Sequence, residues 1–74
     1  MARKLMTEEQ VRDEVKNIRI KAKTDYESAY SDEIQLYKDV LKTISTRQVS
    51  AHTAADLAEE ALKASRIKFP RNTA

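Results

Sequence analysis

Residues 11–44 read VRDEVKNIRIKAKTDYESAYSDEIQLYKDVLKTI, thirty-four residues without glycine or proline. Their apolar positions decide the fold class. Val11, Val15, Ile18, Ala22, Tyr26, Tyr30, Ile34, Tyr37, Leu41 and Ile44 follow one another in steps of three and four, the spacing of one helix face. Nine steps cover 33 residues, a mean of 3.67, which is the period of an eleven-residue repeat and of a helix that runs straight or supercoils slightly to the right. The repeat is visible in the rows Val15, Tyr26, Tyr37 and Ile18, Ala29, Val40, and in Val11, Ala22, Glu33, Ile44, where Glu33 is the polar exception.

The favoured reading is one long helix over about 7–46. The alternative breaks it near 28–32, because Ser31-Asp32-Glu33 has the form of an N-cap followed by acids at the positive end of a helix dipole. The absence of Gly, Asn and Pro from residues 28–33 weighs against that break. At the front, Thr7-Glu8-Glu9-Gln10 has the capping-box pattern, so the helix should start at Thr7.

Beyond Ile44, residues 45–53 are rich in hydroxyls and offer only Val49 as a sizeable apolar anchor, which marks a connection. Thr53-Ala54-Ala55-Asp56 repeats the capping pattern, and Leu57, Ala58, Ala61, Leu62 and Ser65 keep helical spacing until Pro70 forbids continuation. A shorter antiparallel helix over about 53–68 is expected, with an alanine-rich face that permits close approach.

The whole is therefore expected to be all-α, a helical hairpin or three-helix bundle forming a single domain over 1–74, with loosely held ends at 1–6 and 70–74. A chain with no Gly, one Pro and 35% charged residues lacks the turn residues that strands and hairpins need. Seventy-four residues bury only about 60% of their unfolded surface, and without cysteine no disulfide or thiolate metal site can supplement the core.

Self-association is the expected supplement. A helix from Thr7 to Ile44 would be about 57 Å long and the last helix about 24 Å. Folded back, the short helix would cover Ile34, Tyr37, Leu41 and Ile44 and bring Phe69 near Tyr26 or Tyr30. Val11, Val15, Ile18 and Ala22 would then be left as a coiled-coil-like face for a second copy or a protein partner.

The net charge of +2 conceals segments of +3 over 1–24, −3 over 25–44 and +2 over 45–74, which favours antiparallel pairing of the middle with either end. One residue round from the apolar face runs a basic stripe, Arg12, Lys16, Arg19 and Lys23, which reads as a candidate phosphate-binding flank or as solvated stems covering the core edge. Arg66, Lys68, Phe69 and Arg71 form a candidate docking motif in the tail, set against a frayed helix end with Phe69 tucked into the core.

Chemical motifs are lacking. Glu8-Glu9, Asp13-Glu14, Asp32-Glu33 and Glu59-Glu60 are adjacent acids that diverge by about 100° on a helix and do not converge as an acid–base pair must. His52 stands alone without a carboxylate–histidine motif, so no catalytic residue, metal ligand or cofactor is expected. A helix-turn-helix would begin its recognition helix with Asp56 near phosphates, and a ribbon-helix-helix has no strand or Gly turn to build on.

The expected function is accordingly a non-enzymatic protein-interaction module, an adaptor or regulator working through a helical face. The alternative is a nucleic-acid-associated dimer using the basic stripe. With no apolar run long enough to span a bilayer and no signal-peptide core behind Met1, membrane insertion is not expected and a cytoplasmic location is.

Overall fold

The computed structural model describes residues 6–71, and everything in it is helix, turn or connection. Three helices follow in order, α1 Glu8–Thr24, α2 Tyr26–Ser45 and α3 Ala51–Leu62, and α3 tightens into a 3-10 turn at Lys63–Arg66. Among the described residues there is no strand.

Helix α1 begins as expected. Thr7 accepts from the Gln10 N–H through Oγ1 at 3.2 Å, and the Thr7 N–H donates to Gln10 Oε1 at 3.0 Å, so each residue satisfies an orphan donor of the other.

The long helix does not form. It stops at Asp25, three residues before the stretch proposed for a break, and a single residue serves both ends of the interruption. With φ −141° and ψ 71°, Asp25 closes α1 through its N–H to Lys21 O at 2.7 Å. Its carboxylate caps α2, accepting the Ser28 N–H at 3.2 Å and the Ser28 hydroxyl at 2.8 Å. These two bonds hold the Asp25 carboxyl below its usual 3.8.

The helix start that the alternative reading expects at Ser31-Asp32-Glu33 lies instead in Asp25-Tyr26-Glu27-Ser28. Ser31 is an ordinary exposed mid-helix position.

After Asp25 the chain reverses. The Met6 N–H donates to Thr43 Oγ1 at 3.2 Å, and Asn17 Nδ2 and Lys21 Nζ both reach Asp32 Oδ2, at 3.3 and 2.7 Å. Residue pairs whose numbers sum to about 50 meet, so α2 runs back along α1 and the longest dimension is 36 Å, too short for a helix of about 57 Å.

The core lies between all three helices. Val11, Val15 and Ile18 of α1 meet Ala29, Leu36 and Val40 of α2 and Leu57, Ala61 and Ala64 of the last segment. Each large aliphatic buried here contributes about 1.5–3 kcal/mol. Two polar side chains share this interior because each has partners. Thr43 Oγ1 donates to Asp39 O at 2.9 Å while accepting from Met6, and Glu33 is matched by Arg71.

Helix α3 starts at Ser50, not Thr53. Ser50 Oγ accepts the Thr53 N–H at 3.1 Å, and α-helical bonding ends at Leu62, six residues short of the expected boundary. The α2–α3 connection is correspondingly short and turns on Arg47, whose φ of +60° puts a side chain in the left-handed region where glycine is usual. The Arg47 N–H donates to Ile44 O at 3.1 Å, part of the bonding that ends a helix in this way.

Of the ends read as loosely held, Met6 is half-buried and hydrogen-bonded, and Arg71 is tied to the core; residues 1–5 and 72–74 lie outside the described residues.

Candidate functional site

The face read as an association surface is inside the chain. Val11, Val15 and Ile18 are 0, 4 and 0% exposed and Ala22 packs at the core edge, so this row meets α2 and α3 and has no surface to offer a second copy. The reason is the reversal at Asp25, which gives α1 a partner along its length that an unbroken helix would have denied it.

The second half of the same stripe is only partly covered. On α2 the buried row is Ala29, Glu33, Leu36, Val40 and Thr43, displaced towards α1 from the row Tyr26, Tyr30, Ile34, Tyr37, Leu41 and Ile44. The displaced row borders an apolar groove of about 500 Å³ between α2 and α3. Tyr37, Val40, Leu41 and Ile44 line one side, and Ala58, Ala61, Leu62 and Ser65 the other.

Leu41 and Leu62 line it 65 and 57% exposed, and Ile34, two turns before Leu41 on α2, is exposed as well. The groove arises from side-chain size. Helix α3 sends one large aliphatic, Leu57, into the core and otherwise contributes Ala61 and Ala64, so it seats mainly on α1 and stands away from the outer row of α2. The lining offers two hydroxyls, on Tyr37 and Ser65, and no charged group.

Beside the Tyr37–Ser65 end of the groove lies a polar latch. Arg71 Nε donates to Glu33 Oε1 at 2.9 Å and Nη2 to Oε2 at 2.7 Å, a bidentate pair, and Nη2 also reaches Ala64 O at 3.2 Å. The guanidinium lies 3.9 Å over the Phe69 ring. Burial, followed by the Glu33 charge, pushes the Tyr37 hydroxyl above its usual range, while Glu33 holds Arg71 protonated.

Arg71 and Phe69 of the tail motif thus belong to the folded unit, and Phe69 packs against the core as its second reading had it. Arg66 and Lys68 stay exposed. Pro70 lies in a shallow depression with Tyr26 and Tyr30.

The basic stripe is divided. Arg12 is engaged by Glu8 at 3.6 Å and Glu60 at 3.4 Å, and Lys63 reaches the same Glu60 oxygen at 3.0 Å. Those contacts, Lys63 foremost, draw the Glu60 carboxyl below its usual range. Lys16, Arg19 and Lys23 remain exposed on the α1 flank, with no ion pair among the described residues. His52 is solvent-exposed, its Nε2 3.4 Å from Asp56.

Among the described residues no three His, Cys, Asp or Glu side chains converge as metal ligands, and no helix is long and apolar enough to cross a membrane. Protein-family models, curated proteins and solved structures yield no match to this chain.

Proposed function

We propose that this chain is a small non-enzymatic protein-interaction module, an adaptor or regulator built as a three-helix bundle, which docks a helical segment of a partner protein in the α2–α3 groove. The observation that carries the reading is the groove itself, with Leu41 and Leu62 presented to solvent along an apolar trough. Contiguous exposed apolar surface of this kind is characteristic of docking surfaces. Its volume falls in the range of ligand sites, about 300–1,000 Å³, but such sites carry several convergent polar groups that orient a small molecule. Two hydroxyls fit a helix face better, read by apolar side chains at i, i+3/i+4 and i+7.

The second reading keeps the basic flank for nucleic acid, favoured by the exposure of Lys16, Arg19 and Lys23. The two separate in one pull-down from the native host, run with and without nuclease on wild type, Leu41→Asp and Arg19→Glu. The docking reading expects a nuclease-resistant partner lost in Leu41→Asp and kept in Arg19→Glu. Capture that vanishes with nuclease, falls steeply with salt and fails in Arg19→Glu alone would replace it with the nucleic-acid reading.

A further inference from the structure

Resting on that docking reading, the rim of the groove specifies the chemistry of its occupant. Lys38 and Lys42 lie one turn apart on the flank of α2 beside Leu41, both exposed and without an ion-pair partner among the described residues. Across the groove, Arg66 follows Ser65 at the latch end and Glu59 follows Ala58 at the other, both exposed. Three cations against one anion border a trough that holds no charge of its own.

We propose that the groove takes an amphipathic helix of a different protein whose apolar face is flanked by acidic residues, with the acids set against Lys38 and Lys42. The paired lining segments, 37–44 of α2 and 58–65 of α3 and its 3-10 end, are each about 12 Å long, so roughly two turns of the occupant make contact. Ala58 and Ala61 form a low floor between the Leu41 and Leu62 ridges, into which a leucine-sized side chain can enter.

The same charges disfavour a second copy of this chain. In a symmetric dimer the same patch faces itself. A two-fold axis across the helices would place Lys38 and Lys42 against their own copies. An axis along the helices would bring Lys38 opposite Arg66, since Tyr37 and Ser65 lie level across the groove, and only Lys42 would gain Glu59. An acidic helix meets all three cations, and this complementarity acts on encounter rate and partner choice more than on raw affinity.

The test is a display library of eighteen-residue helices with leucine fixed at i, i+4, i+7 and i+11 and Asp, Glu, Lys, Arg, Ser or Gln drawn at the flanking positions. It is selected on wild type, Leu41→Asp and the double variant Lys38→Glu/Lys42→Glu. Wild type should enrich Asp and Glu on one flank, binding about tenfold tighter than lysine-flanked counterparts at low salt. The double variant should invert the preference. Amide shifts of the wild type with an enriched peptide should map to Tyr37, Leu41, Ile44, Ala58 and Leu62.

Enrichment over Leu41→Asp with no preference of sign, or a basic preference, overturns this inference and leaves the docking reading standing. No enrichment over Leu41→Asp overturns both. Sedimentation showing a wild-type dimer that Leu41→Asp dissociates assigns the groove to a second copy and also overturns the inference.

Discussion

One apolar stripe runs through α1 and α2, and the two halves of it meet different ends. In α1 the row Val11, Val15, Ile18 becomes core; in α2 the row Ile34, Tyr37, Leu41, Ile44 becomes a groove wall and an exposed rim. Periodicity reports that a helix has an apolar face, but which face wins the interior depends on what the neighbouring helices can satisfy. On α2 the winning row contains Glu33 and Thr43, which by composition should have lost. It wins because Ala29 lets α1 approach and because Arg71 and Met6 supply the missing hydrogen bonds.

Paired substitutions test this contrast. Val15→Asp should bury an unpaired charge and cost about 4 kcal/mol or more, enough to abolish a cooperative melt in a domain this small. Leu41→Asp should leave the thermal midpoint within a few degrees.

Next in size is the latch. Arg71→Ala strands a buried carboxylate, and because Arg71 is itself partly exposed the cost should be about 2–3 kcal/mol by denaturant titration. Glu33→Met/Arg71→Met should recover most of it, since a buried pair replaced by apolar groups is often neutral. Failure of the double variant to recover would mean the pair contributes more than mutual neutralisation.

At the junction, Asp25→Ala should lower the midpoint by roughly 5 °C while Ser31→Ala leaves it unchanged or slightly raised. The Asp25 carboxyl is held below its usual value in the folded chain, so its contribution is present above about pH 4 and is lost as pH falls through the folded value. Wild type and Asp25→Ala should therefore converge in acid melts. Opposite in sign and smaller, Arg47→Gly should stabilise by about 0.5 kcal/mol, because relief of a left-handed side chain is partly offset by the greater freedom of glycine in the unfolded chain, seen as a slightly higher midpoint.

Much of the architecture was legible locally. The all-helical class, the Thr7 capping box and the apolar face of α1 follow from residues within a turn of each other. The break was legible in principle in Asp25 and Ser28, whose mutual bonds span three residues, but a search for Gly, Asn or Pro passes over a junction made by one aspartate.

The reversal is present only in the less favoured sequence reading, and the groove was not legible. Both are accompanied by contacts distant in sequence, Thr43 with Met6 and Glu33 with Arg71, 37 and 38 residues apart, and the groove follows from α3 presenting alanines along it. Reading the stripe as continuous left the α1 row exposed, whereas it is buried, and covered the whole α2 row, of which Tyr37 and Ile44 pack against the core while Ile34 and Leu41 stay exposed.

The absence of cysteine from the chain makes that reversal directly measurable. Single Val15→Cys and Leu41→Cys variants can be reacted with a thiol-specific chromogenic disulfide under native conditions. Leu41→Cys should react at the rate of an unprotected thiol, and Val15→Cys only through unfolding, slowed by the full stability of the domain. A fast Val15→Cys beside a protected Leu41→Cys would contradict the account and restore the long helix with its α1 face exposed.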